Sequence, residues 1–376
     1  MKPMRVLHIV SVDKENYYLH NLVDHSPSDK VEFSFVTFAG ECEFGRSLEK
    51  RGQRVFYMDS PTRYKYPGAI RKLWSILKKE TPDIVHTHLF DASLIGLTIA
   101  KLQGRKTVLT RHHSDAIHKI ASPSKRRFYL GLEKYVSRLS DQIIAPSQMV
   151  RDYLVEREGV ADKKVTIVPY GQTTDRFDSV TPQAVEAVRR ELGMDGTTAM
   201  VNVSRLFHRK GHRYLFEAFA GLLKGRSDAK LYLVGDGDYR EVLEQMCSDL
   251  GISERVRFLG WRDDALTVVA AADIVVHPSL EDALSSAVIE AVMLEKPIVA
   301  TDISGVRDSL GDGRYGRIVP PEDSESIRGA IEEVLADIDA ATKIASRGRQ
   351  YLLEYMDAGR VAKEHLMLYQ SLSGNG

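Results

Sequence analysis

Short apolar runs rich in β-branched residues alternate along the chain with longer stretches whose apolar residues recur every three or four positions. The runs Arg5–Val10, Phe33–Phe38, Arg54–Met58, Ile84–Thr87, Thr107–Thr110, Gln142–Ala145 and Val165–Val168 predict strands. Helical periodicity fills the gaps, most clearly over Ala69–Lys79, Ala92–Gln103 and Arg126–Ser140. A polar segment with a Pro-Tyr-Gly turn, Pro169–Pro182, reads as a linker. The same grammar then returns. Strands are predicted over Ala199–Val203, Lys230–Val234, Val256–Leu259, Ile274–His277 and Pro297–Ala300, and helices over His212–Leu223, Tyr239–Leu250, Ser286–Leu294 and Ser324–Asp337. From about Ala341 the chain is predicted helical and polar. Strands that alternate with helices predict βαβ units around parallel sheets.

At 376 residues the chain is long enough for two such domains. We expect an α/β protein of two doubly wound, Rossmann-like domains facing across a cleft: residues 1–178 and 179–354, with a helix over about 355–376 packing back on the first. Open α/β sheets bind ligands beyond the carboxyl ends of their strands, so the informative residues should follow strands. Composition changes this picture little: 43% hydrophobic and 28% charged residues suit a globular enzyme. No run approaches the roughly 20 apolar residues needed to cross a bilayer. The start of the chain runs straight into a strand, so no signal peptide is expected. Cys42 and Cys247 lie far apart, with neither metal spacing nor a disulfide framework, which fits a reducing cytoplasm. Net charge is zero but uneven. Residues 1–178 hold 29 Lys+Arg against 21 Asp+Glu, and the remainder 23 against 31. A basic first half suits an anionic partner such as a membrane surface.

Five segments carry chemistry. After the strand ending at Val203 come Ser204-Arg205 and, five residues on, Lys210-Gly211; a guanidinium and an ammonium there suit a diphosphate. Leu231–Val234 runs into a Gly235-Asp236-Gly237 turn, where glycine lets backbone approach a ligand. Val275-Val276-His277-Pro278-Ser279 leads to Asp282 and a helix starting near Ser285, whose free N–H groups favour an anion; Glu290 lies eight residues beyond Asp282, so both carboxylates can face one ligand. Lys296-Pro297-Ile298-Val299-Ala300-Thr301 and Gly316-Arg317-Ile318-Val319-Pro320-Pro321-Glu322-Asp323 close the series.

In order and spacing, these segments resemble the donor domain of the retaining glycosyltransferases of family 4, which have the GT-B fold. The resemblance runs with gaps from about Val201 to Asp323. Weaker echoes in the first half are Asp83-Ile84-Val85-His86-Thr87-His88, Thr110-Arg111-His112 and Val168-Pro169-Tyr170-Gly171.

The resemblance implies roles. Arg205 and Lys210 would hold the donor diphosphate, Glu290 the ribose hydroxyls, and Asp282 would face the donor sugar. Gly235, Asp236 and the stretch Asp282-Ala283-Leu284-Ser285-Ser286 would complete the nucleotide-sugar site, with His112 across the cleft near the sugar. His112, Asp282, Arg205 and Lys210 are the candidate catalytic residues. The family retains anomeric configuration, and the leaving phosphate assists a same-face displacement. No metal or cofactor is expected. No D-x-D motif occurs, and His86 and His88, two apart at a strand end, are expected to face opposite sides and to chelate only with distortion. The adjacent His112 and His113 have the same difficulty.

Two departures stand out. The family usually has Glu-Gly-Phe-Gly where this chain has Asp282-Ala283-Leu284-Ser285, and many members carry a glycine pair after the first strand where this chain has Ser11–Tyr18 without glycine. In that loop Asn16, Tyr17 and Tyr18 are candidate acceptor contacts or packing groups. The stretches Arg63–Lys79 and Lys119–Arg138 mix cations with aromatics and leucines. They read as ordinary amphipathic helices, or as surfaces resting on anionic lipid. A glycan or lipid-linked acceptor is expected, in the cytoplasm or at the inner face of the membrane, with no nucleic-acid partner. A catalytically weak or silent relative, motivated by the altered Asp282–Ser285 loop, and a nucleotide-sugar epimerase on the same architecture remain open. A nicotinamide dehydrogenase is disfavoured because no G-x-G-x-x-G follows the first strand.

Overall fold

A computed structural model of the chain describes every residue except 1, 12–15, 61–65, 113–121, 283, 284, 304, 375 and 376. The chain folds as two compact units, Met1–Thr173 with Met356–Gly376, and Thr174–Tyr355.

The first unit begins β1 (Met4–Val10), α1 (Tyr17–Asp24), β2 (Val31–Thr37), α2 (Glu43–Lys50), β3 (Arg54–Tyr57), α3 (Tyr66–Glu80) and β4 (Ile84–His88). It continues α4 (Phe90–Leu102), β5 (Lys106–Thr110), α5 (Pro123–Leu139), β6 (Gln142–Ala145), α6 (Gln148–Asp152) and β7 (Val165–Ile167). Its seven strands are all parallel, in the order β3-β2-β1-β4-β5-β6-β7. Helices cover both faces of such a sheet, so its central strands read as continuous apolar runs. All five residues of β4 are buried, among them His86, Thr87 and His88.

The second unit holds α7 (Pro182–Leu192), β8 (Thr198–Val203), α8 (His212–Leu222), β9 (Ala229–Val234), α9 (Arg240–Asp249), β10 (Val256–Gly260), α10 (Ala265–Ala271) and β11 (Ile274–His277). It ends with α11 (Ser286–Met293), β12 (Ile298–Thr301), α12 (Val306–Ser309), β13 (Arg317–Val319), α13 (Ser324–Ala336) and α14 (Ile338–Tyr355). Its six strands are parallel in the order β10-β9-β8-β11-β12-β13. Phe216, Phe219, Leu231, Leu233 and Ile331 lie in its core.

The last helix, α15 (Ala358–Ser373), returns to the first unit. It is not polar, as its sequence suggested. Val361, Ala362, Leu366, Leu368 and Tyr369 pack in one cluster with Val6, Leu19 and Phe35. The expected linker is partly structured, with a 3-10 turn at Asp175–Phe177 and α7 starting at Pro182, where the Thr181 hydroxyl accepts from Ala184 N. Among the described residues no helix is long and apolar enough to cross a membrane.

Candidate functional site

In the second sheet the strand order reverses between β8 and β11. A crevice forms beyond the carboxyl ends of strands at such a point, and a cavity of about 380 Å³ lies there. Two glycines let its walls close. Gly211 has φ 69°, and a Cβ there would sit 1.9 Å from the Pro278 carbonyl oxygen. The loop after β8 therefore lies directly on the loop after β11, where Leu280 N donates to the Arg209 carbonyl at 2.9 Å. Gly235 has φ 127°, and a Cβ would meet the Ser204 carbonyl oxygen at 2.1 Å.

Arg205, Lys210, Gly235, Asp282, Ser285, Ser286 and Glu290, all predicted for the site, line this one cavity. Lys210 is 8% exposed, and its Nζ donates to Asp282 Oδ2 at 2.7 Å. Arg205 is exposed, its guanidinium 5.0 Å from the Phe207 ring centroid. Glu290 points from α11 to Arg176, whose Nη1 donates to Oε1 at 2.8 Å. Burial pushes the Glu290 carboxyl above its usual range, against the opposing effect of Arg176. Asp236 is not among the lining residues. Its carboxylate accepts from Gly237 N at 2.8 Å and lies 3.6 Å from Arg240 Nη1, so it shapes the turn. Ala283 and Leu284 lie outside the described residues.

Sequence reasoning missed Arg176, Arg209, His277, Trp261 and Arg262. The Arg209-Lys210 dipeptide and the Gly260-Trp261 pair at a strand end were the available signals. Arg176, far away in sequence, gave none. His277 ends β11 at 2% exposure, and burial pushes its pKa down to about 4. His212, also lowered to about 4 by burial, shares a hydrogen bond of 3.0 Å with the Ser204 hydroxyl.

His112 lies in the first unit, at the carboxyl end of β5, in a chain of imidazoles. His8 Nδ1 and His88 Nε2 are 3.0 Å apart, His88 Nδ1 and His112 Nε2 3.3 Å, and His112 Nδ1 shares a hydrogen bond with the Tyr170 hydroxyl. His86 binds the hydroxyls of Tyr369 and Thr110, each at 2.7 Å. Burial holds His8, His86 and His88 neutral, with His8 pushed down to about 3 and the other two well below their usual value. The expectation that His86 and His88 face opposite sides is overturned. Strand residues two apart share a face, and these rings are 4.3 Å apart between centroids. One nitrogen from each of His8, His86 and His88 lies within 4.8 Å of the others, a spacing that could hold a metal ion. Only His8 Nε2 among these rings lacks a hydrogen-bond partner, so an ion would have to displace existing bonds. Beside His112, Arg111 is clamped between the buried carboxylates of Glu133 and Glu158.

The glycine-free loop after β1 leads to Asn16, which caps α1 by accepting from Leu19 N at 3.2 Å. Tyr18 is buried with its hydroxyl 2.7 Å from His365 Nε2, whereas Tyr17 is exposed. The basic helix α3 buries Ala69, Leu73 and Leu77, and α5 buries Glu133, Val136 and Ser137, yet they leave Ile70, Trp74, Phe128 and Tyr135 exposed beside exposed Arg71, Lys72, Lys125 and Arg127.

Comparison with known proteins gives the family of both halves of the chain. Residues 185–351 match the family model described as glycosyl transferases group 1, and residues 16–176 match that of glycosyltransferase family 4. The lipopolysaccharide core biosynthesis glycosyltransferase LpsE of Rhizobium meliloti is 33% identical over 50% of this chain and 54% of its own, so the match spans about half of that protein. The UDP-Gal:alpha-D-GlcNAc-diphosphoundecaprenol alpha-1,3-galactosyltransferase of Escherichia coli is 25% identical over 70% of this chain and 69% of its own. Among solved structures, Anabaena HepE in complex with UDP superposes with a TM-score of 0.83 at 21% identity, covering 98% of this chain and all of that one. The chain belongs to the family 4 glycosyltransferases and has their GT-B fold.

Proposed function

We propose that this glycosyltransferase moves a sugar from a nucleoside-diphosphate sugar to a glycan or lipid-linked acceptor, with retention of configuration and without a metal ion. The observation that carries this reading is the gathering of Arg205, Arg209, Lys210 and two carboxylates around one cavity at the switch point of the second sheet. The cations match a diphosphate in charge. Arg205 can clamp its oxygens bidentately, and Lys210 adds a point charge. Charge that develops on the leaving diphosphate is stabilised by these fixed groups, so the electrostatic role that a metal often fills is covered by side chains. Glu290 presents a carboxylate to the ribose hydroxyls, Asp282 faces the donor sugar, and the exposed ring of Trp261 at the cavity suits stacking on a base. On this reading the protein supplies positioning, and the departing phosphate takes up the acceptor proton on the face from which it leaves.

Several named relatives favour a lipid-linked or polysaccharide setting: the Escherichia coli diphosphoundecaprenol enzyme, LpsE, and the alpha-monoglucosyldiacylglycerol synthase of Streptococcus pneumoniae, 27% identical over 74% of this chain and 65% of its own. The exposed aromatics on α3 and α5 fit peripheral contact with an anionic membrane.

The test is titration with uridine, guanosine and adenosine diphosphates and their sugars in the presence of a chelator. One nucleotide series should bind. Glu290→Ala and Arg205→Ala should each weaken it about tenfold or more, as expected for hydrogen bonds to charged groups. The anomeric signal of the product, read by NMR, should match that of the donor. Failure of every nucleotide to bind would sink the donor site, and loss of turnover on chelation would sink the metal-free mechanism.

A further inference from the structure

The floor of the cavity holds a group that no step above uses. His277 lines the cavity, is 2% exposed, and has no hydrogen-bond partner on either ring nitrogen. Buried polar groups in folded proteins nearly always have a partner, and one left without suggests that a bound molecule or a rearrangement supplies it. Among the described residues, the charged and titratable groups around the ring are Asp282, Lys210 and His212. Asp282 Oδ2 lies 4.0 Å from His277 Nε2, while Lys210 holds that same oxygen at 2.7 Å. One carboxylate oxygen thus stands between two donors, and the ammonium has it.

A diphosphate changes this balance. Its oxygens compete with Asp282 for Lys210, and the carboxylate oxygen that the ammonium releases becomes available to the imidazole beside it. Asp282 has a shorter side chain than the Glu the family usually carries here, so its reach is small. The shift from 4.0 Å to hydrogen-bonding distance from His277 is about 1 Å. Burial keeps the imidazole neutral beside the Lys210–Asp282 pair, with one N–H to offer and one lone pair.

We propose that His277 is a positioning residue of the donor site: when a diphosphate oxygen takes Lys210, the Asp282 carboxylate passes to a ring N–H of His277, which holds it in place for the sugar. The proposal rests on the donor-site reading above. Before the donor binds, Lys210 and Asp282 neutralise each other. Once it is bound, Lys210 serves the phosphate and His277 serves Asp282.

The experiment uses the full chain with its histidine ring nitrogens labelled with nitrogen-15. Spectra are recorded with uridine, guanosine and adenosine diphosphates and with inorganic pyrophosphate. The His277 signals are assigned from His277→Gln, or from His277→Asn should that variant not fold. On saturation, one His277 nitrogen should acquire the shift of a hydrogen-bonded N–H and its titration should move up in pH. Both changes should vanish in Asp282→Asn. With the donor that the nucleotide screen identifies, His277→Leu should lower kcat about tenfold or more, as for loss of a hydrogen bond to a charged group, while leaving the diphosphate Kd within about threefold. His277→Gln, which keeps an N–H, should restore most of the rate. If a diphosphate binds and the His277 signals do not move, the proposal is overturned while the donor site stands. If none of the four compounds binds, the donor-site reading falls and the proposal with it.

Discussion

Acid should unfold the first unit of this protein well before the second, because of what each buries. His8, His86, His88 and His365 in the first unit are all held neutral by burial, with His8 lowered to about 3, His365 to about 4, and His86 and His88 well below their usual value. A buried imidazole of this kind binds fewer protons folded than unfolded. Its contribution to stability is whole above about pH 6.5 and is lost as pH falls toward the folded value. Between about pH 7 and pH 5 each such group forfeits about 2 kcal/mol, or about 8 kcal/mol for the four. Glu133 works the other way. Burial raises its pKa to about 7, so over the same interval the folded state holds a proton that the unfolded state has released, which returns about 2 kcal/mol. The net loss is about 5–6 kcal/mol, comparable with the whole stability of an ordinary domain. In the second unit, among the described residues, only His212 and His277 act in this sense, both lowered to about 4, and the raised Glu290 opposes them. The two tryptophans make the comparison measurable, since Trp74 lies in α3 and Trp261 follows β10, one in each unit. Urea unfolding of the single-tryptophan variants Trp261→Phe and Trp74→Phe, followed by fluorescence at about pH 7 and about pH 5, gives a free energy for each unit by linear extrapolation. The Trp74 signal should lose several kcal/mol, and the Trp261 signal much less. A loss below about 1 kcal/mol at Trp74 would refute the assignment of neutral buried imidazoles.

Gly211→Ala should destabilise the second unit and abolish nucleotide binding, because the added Cβ would sit 1.9 Å from the Pro278 carbonyl oxygen in a left-handed conformation; the loss is about 2–4 kcal/mol, read by urea unfolding and thermal shift with nucleotide. Flotation with anionic vesicles at low salt should carry the protein, and the double variant Trp74→Glu, Phe128→Glu should lower its partitioning about tenfold or more while leaving nucleotide binding intact; equal flotation of both proteins would rule out α3 and α5 as the contact surface.

The buried parallel strands were legible because β-branched runs covered on both faces have few alternatives. Ile274–His277 and Gln142–Ala145 were read to the residue. Some short helices, and one edge strand, were not. β13 is three residues long at the sheet edge, so it offers no period to detect. Glu43–Lys50 is mostly polar, and its amphipathic face comprises little more than Phe44 and Leu48. α7 did announce itself, with a Thr181 cap, a proline in its first turn and Gly193 in the left-handed region at its end, but the neighbouring Pro169–Gly171 turn drew the reading toward a linker. From Ala341 onward the helices were read correctly and only the polar character of α15 was not. The apolar side chains of α15 are interleaved with Arg360, Lys363 and Glu364, and only tertiary contact shows which side is covered. In the site, the predicted residues all lay within motifs, although Arg209 and His277 were passed over inside them, whereas Arg176 reaches Glu290 across 114 positions and carries no local signal.

The pairing of charges around the cavity bears on how a donor enters it. Lys210 and Asp282 neutralise each other, as do Arg176 and Glu290. Among the described residues Arg205 and Arg209 have no acidic partner, and Arg205 is exposed. An approaching diphosphate therefore meets Arg205 and Arg209 as available charge and reaches Lys210 only by exchange with Asp282. Removing one partner of either pair without replacement leaves a partly buried charge uncompensated, at a cost reduced by the solvent that reaches Arg176 and Asp282. A phosphate bound at Arg205 alone, too far to take over Lys210, gains none of that exchange, and neither does a sugar without a diphosphate. A ligand bearing both phosphate and hydroxyls can exchange at both ends, with phosphate oxygens taking Lys210 and ribose hydroxyls sharing Glu290 with Arg176. If the cavity is the donor site proposed above, the paired carboxylates favour a ligand whose phosphate and hydroxyl groups are spaced to engage both, and this discrimination comes from the competition for Lys210 and Arg176 as much as from the hydrogen bonds the ligand itself makes.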